Sequence, residues 1–457
     1  MAGPEPIGHR PWLSSPLDDD DPLSEILRRL PPRPSSLPQA SLVCKRWRDL
    51  AASPQFLRDF RVFHRAAAPL LGFFHNTNLG GPDRRFVAAA DPPDRVPAAL
   101  FRMPCGRNHK EWKFLDCRHG RVLLIGSVGP RREVLVWDPM TGARRCTPVP
   151  PDAGDVRQGA VLCSCGLARD CRSSPFRVVL VWWIGTTQHW RVAAAIYSSE
   201  SDAWSHVISV ETQLAPTVLV TQRNARKPGV LVGDAVYWLL PESRILEFDT
   251  VRRSLSLISG PVHSAGSPYW QSHLVLTEVK ELGYAMFMVT EVSIKLWKRD
   301  TGNAAGWSMH RSVRLDKCLP RMPMQAKPSL LGFHEESNAI FVWINAGLFL
   351  IQLESMQSRM LCQGVGDFEI YPFSGFYHRD AAGTQADDAC SHGLPIATLT
   401  MWHYEDPEGD LHGPFSMAML HRWRSNGFFP EDLRVWRTDE TKEQAVLLTD
   451  AMRMPCY

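Results

Sequence analysis

The central part of the chain repeats one pattern of short β-like runs. An apolar run is followed by a turn and then by a run of mixed polar and aromatic residues, and this unit recurs about every 50–60 residues. The five clearest copies are centred near Asp138, Ser198, Asp249, Asp300 and Glu354. A less regular unit precedes Trp112. Because this period falls at the long end of propeller-blade spacings, the sequence predicts a β-propeller-like domain of about six blades over residues 70–377.

The chain is too long for a single ordinary core. At 457 residues it is expected to form several domains, mainly of β structure. Residues 1–16 are rich in Pro, Gly and Ser and are expected to be disordered. Residues 378–398 are small and polar, which is typical of a linker. A helical domain over residues 17–62 and a small C-terminal domain over residues 399–450 complete the predicted organisation.

The N-terminal domain shows a helical pattern. Asp21 suits a helix N-cap and Pro22 suits the first helical position. Apolar residues then repeat at helical spacing at Leu23, Ile26, Leu27 and Leu30. The segment PPRPSS ends this helix, a second helix is predicted over LPQASLVCKRWRDLA, and a short third helix ends near Phe60.

This helical block resembles the F-box. The segments PLSEILRRLP, SLVCKRWRDL and SPQF carry the resemblance, whereas LDDDDP replaces the usual Leu-Pro opening. The resemblance implies docking on the Skp adaptor of a cullin ubiquitin ligase. The residues expected at that interface are Pro22, Leu23, Ile26, Leu27, Leu30, Val43 and Trp47. The alternative is that these residues form the core of a free three-helix bundle, although a block this small buries such a stripe poorly by itself.

The central repeats also resemble a known domain. The segments DCRHGRVLL, VLVWDPMTGARR and LVGDAVYWLL followed by ILEFD are similar to the β-propeller-like domain associated with plant F-box proteins, especially those of grasses. The resemblance supports the propeller that the repeat period predicts.

The C-terminal domain is crowded with aromatic residues. Trp402, Tyr404, Phe415, Trp423, Phe428, Phe429 and Trp436 are interleaved with Gly and Pro. Flat rings beside turn residues are what proteins use to bind a polyproline helix. The alternative is that the rings only form the core of a small domain, and Trp402 and Phe429 suit that role better than ligand binding.

The order of these aromatic residues resembles the GYF domain. The pattern W-x-Y, G-P-F, Met or Leu, W and G-Y-F runs through residues 400–450, and the family binds proline-rich peptides. The residues implied at the peptide site are Tyr404, Asp406, His412, Phe415, Leu420, Trp423 and Phe428. Asp406 and the turn after it resemble the subgroup that prefers Pro-Pro-Gly followed by an apolar residue. Phe428 replaces the family's Tyr, and His412 replaces the usual Gln or Tyr.

Composition and motifs argue against several other functions. Lys and Arg number 51 against 48 Asp and Glu, a balance that argues against nucleic acid as the main partner. The sequence contains no G-x-S-x-G, phosphate loop or H-E-x-x-H motif. Cys163, Cys165 and Cys171 with His189 lack the spacing of a zinc site. Cys117–Gly120 is interpreted as structural, so no catalytic residue, metal or cofactor is expected.

The cysteines and the hydropathy indicate where the protein acts. Eleven scattered Cys residues suit the reducing cytoplasm or nucleus better than secretion. No basic region followed by an apolar run marks a signal peptide at the N-terminus. The most apolar segment, 284–297, is interrupted by Glu291 and Lys295, so no membrane span is expected.

The sequence therefore predicts a non-catalytic substrate-recognition subunit of an SCF-type cullin ubiquitin ligase. The F-box would dock on the Skp adaptor, and the GYF-like domain would bind a proline-rich peptide on a client that the sequence does not identify. The alternative is a proline-rich-motif adaptor in RNA processing or translation control with a vestigial F-box.

Overall fold

The computed structural model describes residues 20–64, 68–76, 85–102, 112–126, 132–164, 171, 174–185, 189–212, 227–261, 271–300, 306–316, 318–320, 328–363, 369–377, 401–405, 411–416, 420, 424, 430, 432–437 and 440–452, with the backbone alone at 401 and 411–416. The chain divides into two compact units, Met1–Gly383 and Thr384–Tyr457. Among the described residues, no helix combines the length and the apolar character that crossing a membrane requires.

Four short helices open the described chain. They are α1 (Asp20–Arg28), α2 (Ser36–Ala40), α3 (Lys45–Ala52) and α4 (Pro54–Phe63). Ser53 caps α4 by accepting a hydrogen bond from the N–H of Phe56 at 3.2 Å, and Pro54 occupies the first turn. The core between the helices is formed by Leu23, Leu27, Leu37, Ala40, Phe56 and Phe60.

The second helix predicted from the sequence was wrong in its length. The segment forms α2 and α3, which are separated by a turn at 41–44. The Ser41 hydroxyl donates a hydrogen bond to the Leu37 carbonyl at 2.8 Å, and Cys44 is fully extended with φ −161°. A hydroxyl that bonds back to the preceding turn competes with helix continuation, which accounts for the break.

Six antiparallel sheets follow, as the repeat period predicts. The first sheet, blade 1, orders β2 (Phe86–Ala88), β1 (Leu70–His75) and β24 (Ile370–Ser374). Blade 2 contains β3 (Trp112–Arg118), β4 (Arg121–Gly126), β5 (Glu133–Trp137) and β6 (Arg144–Pro148). Blade 3 contains β7 (Val156–Cys163), β8 (Phe176–Gly185), β9 (Trp190–Ser198), β10 (Ala203–Trp204) and β11 (Ile208–Thr212).

The remaining three blades are four-stranded meanders. Blade 4 contains β12 (Val230–Val232), β13 (Ala235–Leu239), β14 (Arg244–Asp249) and β15 (Ser254–Ser259). Blade 5 contains β16 (Ser272–Leu276), β17 (Leu282–Met288), β18 (Ser293–Arg299) and β19 (Trp307–Arg314). Blade 6 contains β20 (Ser329–His334), β21 (Ala339–Ile344), β22 (Gly347–Gln352) and β23 (Ser358–Cys362).

The last strand of the propeller closes the ring. β24 pairs antiparallel with β1 from Leu70↔Ser374 to His75↔Ile370, although the two strands lie at opposite ends of the propeller sequence. β24 also packs against β20 of blade 6 and β3 of blade 2. Apolar clusters fill the spaces between successive blades, so the core lies between the sheets. Closure in this way pairs the inner edge of β1, which would otherwise be exposed.

One buried arginine links three blades across the centre of the ring. Arg118 of blade 2 donates from Nη1 to Asp116 Oδ2 at 2.8 Å. Its Nη2 donates to the Gly229 carbonyl, next to blade 4, at 2.7 Å and to Glu335 Oε1, next to blade 6, at 2.5 Å. Glu335 Oε1 also accepts from the N–H of Leu231 at 3.1 Å. Because Arg118 and Asp116 are both buried, the link is shielded from water and salt.

The C-terminal unit is a small sheet with a short helix. Its strands order β26 (Leu411–Ser416), β25 (Met401–Glu405), β27 (Arg434–Arg437) and β28 (Val446–Leu447), followed by α5 (Leu448–Ala451). β25 and β27 match the strands predicted at MWHY and LRVWR. The expected N-cap Ser416 instead ends β26, an edge strand whose outer side tolerates Pro414.

The buried Asp116 carboxyl predicts a pH dependence of propeller stability. Burial raises its pKa from 3.8 to about 6, against the opposing effects of Arg118 and the Val161 N–H. The folded state therefore holds this proton more tightly than the unfolded state, so the contribution of Asp116 is greatest below about pH 4 and is lost as the pH rises through about 6. The loss is on the order of 1–3 kcal/mol.

Asp116→Asn tests that contribution. We expect the variant to be less stable overall, because Arg118 loses its buried partner, but its stability should fall less than that of the wild type between pH 4 and 7. The melting temperature of the propeller transition at pH 4.5, 5.5 and 7 measures both effects. Parallel pH profiles for the two proteins would contradict the assignment.

Gly72, in the blade that closes the ring, is a second position at which a substitution should lower the stability of the propeller. A Cβ on Gly72 in β1 would collide with the Val87 carbonyl oxygen and the Phe86 ring. Gly72→Ala should therefore destabilise the propeller by about 1–3 kcal/mol. Gly126→Ala is the matched control, because its Cβ would meet no atom closer than 3.5 Å. Equal melting temperatures for the two variants would refute the steric argument.

Candidate functional site

The residues expected at the F-box interface divide into buried and exposed groups. Leu23 and Leu27 are fully buried in the core of the helices. Leu30 and Trp47 are half-buried against that core, and Pro22 is half-buried in the first turn of α1. Because Leu23 and Leu27 have no exposed surface, a rigidly docking partner could not touch them.

The other apolar residues of this set face solvent. Ile26 is 46% exposed on α1, and Val43 is 62% exposed in the turn between α2 and α3. Leu42 beside it is 85% exposed, although the sequence analysis did not select it. The break after Ser41 could have revealed Leu42, because a helix that ends there leaves both residues in a turn. Ile26, Leu42 and Val43, the exposed trio, are the part of the block available to a partner.

The candidate peptide site of the C-terminal unit is only partly described. Asp406, Trp423 and Phe428 lie outside the described residues, whereas β25 and β26 place Tyr404 opposite His412 and Trp402 opposite Phe415 in the backbone register. The Tyr404 side chain is half-buried at the edge of the core. The hairpin thus brings three of the predicted positions onto two neighbouring strands.

Trp402 and Leu420 both lie in the core of the C-terminal unit. Trp402 is buried, as the sequence analysis favoured. Leu420 is fully buried in the same cluster, together with Leu433, Val435, Leu448 and Ala451. Leu420 therefore has no exposed surface for a peptide, and its place in the core supports the sheet that carries Tyr404.

The sheet also carries ring contacts that the sequence did not reveal. The His403 and Trp436 rings stack with centroids 6.2 Å apart at an interplanar angle of 23°. The Arg437 guanidinium lies 5.4 Å from the centre of the Trp402 ring. The pairing of β25 with β27 produces the first contact, because it places His403 directly opposite Trp436. These contacts orient the strand that carries Tyr404.

A charged cleft opens at the centre of the propeller beside Arg118. It encloses about 420 Å³, including its open mouth, and its walls include Asp116, Arg118, His334, Glu335 and Glu336. Three carboxyl groups face one guanidinium, so the cleft has an excess of hydrogen-bond acceptors and favours cationic groups over anions. Sequence analysis missed it, because its residues come from four different blades.

His334 on the cleft wall is held in place through both ring nitrogens. Nδ1 accepts from the N–H of Ser337 at 3.3 Å and lies 2.5 Å from Ser337 Oγ. Nε2 lies 2.5 Å from Ser374 Oγ and 3.0 Å from Glu336 Oε2. The ring thus joins the end of β20 to the end of β24.

The cysteine motifs form no recognisable reaction centre within the described residues. Cys171 Sγ lies 4.0 Å from His119 Nδ1, and Cys163 Sγ lies 3.9 Å from the Cys171 carbonyl, while Cys165 is outside the described residues. The described part of the chain contains no group of three or more His, Cys, Asp or Glu residues that could hold a metal ion. Burial raises the pKa of Cys117, which opposes thiolate formation.

The CRHG segment has a structural role. His119 and Gly120 both have positive φ, 55° and 73°, and join β3 to β4. Two left-handed residues are what a type I′ hairpin turn requires. The turn directs Arg118 into the centre of the ring, in agreement with the structural interpretation made from the sequence.

Comparison with known families identifies three modules. The F-box domain model matches residues 19–59, and the model described as F-box protein AT5G49610-like, beta-propeller matches residues 113–376. The GYF domain model matches residues 402–446. The families expected from the sequence are therefore all confirmed.

The curated relatives match a short segment of this chain. Zinc finger CCCH domain-containing protein 44 of Arabidopsis thaliana is 56% identical over 52 residues, which are 11% of this chain and 4% of the relative. Protein 19 of the same series, also from Arabidopsis thaliana, is 50% identical over 52 residues, 11% of this chain and 3% of its own length. Protein SMY2 of Saccharomyces cerevisiae is 35% identical over 49 residues, 11% of this chain and 7% of that protein. The chain thus matches only a small part of each relative.

Two solved GYF domains are also similar to this chain. The solution structure of the GYF domain of a hypothetical Arabidopsis thaliana protein is 38% identical, with a TM-score of 0.12. The match covers 15% of this chain and 91% of the solved chain. The GYF domain of Smy2, crystallised with a proline-rich peptide, is 28% identical, with a TM-score of 0.11. The match covers 13% of this chain and 75% of the solved chain.

The six-bladed ring, the helical block before it and the family matches lead to one assignment. The propeller model alone matches more than half of the 457 residues. The chain belongs to the AT5G49610-like β-propeller family of F-box proteins, and it carries a GYF domain at its C-terminal end.

Proposed function

We propose that this protein is the substrate-recognition subunit of an SCF-type cullin ubiquitin ligase. The observation that carries the proposal is the combination on one chain of an F-box with two further interaction modules, the propeller and the GYF domain. The chain performs no catalysis itself. It acts by proximity, because it holds a client lysine close to the ubiquitin-charged enzyme and so raises its effective concentration.

The F-box end docks on the Skp adaptor, which connects it to the cullin core. Support comes from the exposed trio, since Ile26, Leu42 and Val43 expose large apolar side chains on a helical block whose family is known for this contact. Burial of such side chains against a partner contributes about 1.5–3 kcal/mol each. Leu23 and Leu27 form the core of the same helical block, and Leu30 and Trp47 pack against that core.

The GYF end binds a proline-rich peptide, preferably Pro-Pro-Gly followed by an apolar residue. The family match over residues 402–446 and the aromatic residues at the family's positions support this role. Phe428 keeps an aromatic face but lacks the hydroxyl donor of the family's Tyr, so we expect affinity lower by on the order of 1 kcal/mol. If one client carries both a peptide epitope and a propeller epitope, the two modules bind it with avidity.

A second function from another class is a non-ligase adaptor in RNA processing or translation control with a vestigial F-box. It is favoured by one observation: two zinc finger CCCH proteins and SMY2 match this chain over 52, 52 and 49 residues, about the length of its GYF domain. Under this hypothesis the exposed trio has no adaptor partner, so the adaptor experiment below separates the two functions.

We place the protein in the cytoplasm, the nucleus or both. The exposed Cys44 is a free thiol, which suits a reducing compartment. Imaging of the full-length chain with a fluorescent tag tests this placement, and an exclusively secretory pattern would contradict it.

If the exposed trio docks on the adaptor, a negative charge introduced there should weaken adaptor binding. Val43→Asp and Ile26→Asp should each weaken Skp binding at least about tenfold, since a carboxylate at an apolar interface costs more than 1.4 kcal/mol. Binding is measured by titration of purified full-length protein with the adaptor. Leu27→Asp is unsuitable for this test, because Leu27 lies in the core and its loss would unfold the helices.

Val251→Asp is the matched control for that experiment. Val251 is 66% exposed at the turn between β14 and β15 of the propeller, so the same change there should leave adaptor binding intact. A wild-type protein that fails to bind the adaptor would exclude the ligase function and favour the second one. Equal affinities for wild type and Val43→Asp would reject the proposed surface.

Peptide binding predicts the effect of two aromatic changes in the GYF domain. Trp423→Ala should abolish binding of a Pro-Pro-Gly-apolar peptide, because one face of the predicted pocket is lost. Phe428→Tyr should leave the affinity equal or improve it, since it restores the family's hydroxyl. Calorimetric titration gives the affinities, and circular dichroism verifies folding. A folded Trp423→Ala protein with wild-type affinity would disprove the pocket assignment.

A further inference from the structure

A residue from the far end of the propeller completes the F-box core. Phe376 lies two residues after β24 and packs against the cluster formed by α1, α2 and α4. Its ring meets Phe60 of α4 edge to face, with centroids 6.0 Å apart and planes at 83°. The next residue, Tyr377, packs on the core between blades 1 and 2. The segment after β24 therefore contacts both the helices and the propeller.

A second contact from blade 1 anchors the same helices. Asp94, in the loop after β2, accepts hydrogen bonds from the Ser35 N–H at 3.1 Å and the Ser35 hydroxyl at 2.6 Å. Ser35 immediately precedes α2, so this contact fixes the position of α2 on blade 1. Both anchors of the F-box thus come from the blade that closes the ring.

The position of Phe376 depends on closure. Gly375 donates from its N–H to the Pro69 carbonyl at 3.1 Å, directly beyond the β1–β24 ladder, and Pro69 lies on the segment that leads from α4 into β1. Phe376 can therefore reach Phe60 only while β24 is paired with β1. A helical block of about 40 residues is marginally stable alone, so one aromatic contact is a large share of its stability.

We propose that closure of the propeller by β24 is coupled to the folding of the F-box through Phe376. A chain whose ring is open presents a loosened F-box and binds the adaptor weakly, so a ligase receives only receptors whose client-binding domain has closed. The coupling rests on the packing alone, whereas its consequence for adaptor loading rests on the proposed function.

Two variants of the full-length chain test the coupling by amide hydrogen exchange without the adaptor. Phe376→Ala should speed exchange in α1 and α4 roughly tenfold to a hundredfold and leave β21 and β22 protected. Phe376→Leu, which keeps an apolar contact, should restore most of the protection. Met360→Ala is the control, because Met360 is 45% exposed on β23 and belongs to no core cluster.

The Ile370→Ala variant distinguishes coupling through ring closure from a purely local effect of Phe376 packing on the F-box. Ile370 is fully buried at the opposite end of β24, in the cluster between blades 1 and 6, and belongs to a different cluster from the F-box core. Coupling predicts faster exchange in α1 and α4 of this variant, alongside faster exchange in β1. If β1 loosens while α1 and α4 stay as protected as in the wild type, the proposal is overturned.

Titration of the same variants with the adaptor tests separately whether an open ring weakens adaptor binding. Phe376→Ala and Ile370→Ala should lose adaptor affinity in proportion to their exchange rates in α1. If the wild type itself does not bind the adaptor, the proposed ligase function fails, and the exchange data still decide the coupling. If both variants bind as tightly as the wild type despite fast exchange, control of loading is refuted.

Discussion

The pairing of β24 with β1 is the contact on which the rest of this structure depends. Without β24 the inner edge of β1 has no strand partner and blade 1 is incomplete, and here the last strand becomes the inner strand beside β3 and β20. The apolar clusters between blades 1 and 2 and between blades 1 and 6 both include residues of this strand. Closure therefore stabilises two interfaces at once and places the segment that reaches the F-box.

The centre of the ring is held together by the hydrogen bonds and ion pairs of Arg118. This side chain donates to acceptors from three blades. Asp116 and Glu335 neutralise it, and the remaining negative charge lies on the wall of the cleft. The same residues thus fix the relative positions of the blades and define the chemistry of the opening between them.

The surfaces available for recognition are separate from the parts that stabilise the fold. In the F-box, Leu23 and Leu27 lie in the core, whereas Ile26 and Val43 face solvent. In the GYF unit, Trp402 and Leu420 are buried and Tyr404 lies at the edge of the core. This division allows the recognition residues to change with little effect on stability, which suits a protein built from interaction modules.

The sequence by itself determined the three modules, because the period of the strand units, the helical spacing from Leu23 to Leu30 and the order of the aromatic residues each reflect local geometry. It also identified Trp402 as core and the CRHG segment as structural. Only the tertiary structure decided which residues of the apolar stripe are buried, since the core that buries them also includes residues of α2 and α4 and is contacted by Phe376 from the end of the propeller. Likewise, the charged cleft joins Arg118 to Glu335 across the ring, and no local pattern in the sequence records a contact between distant blades.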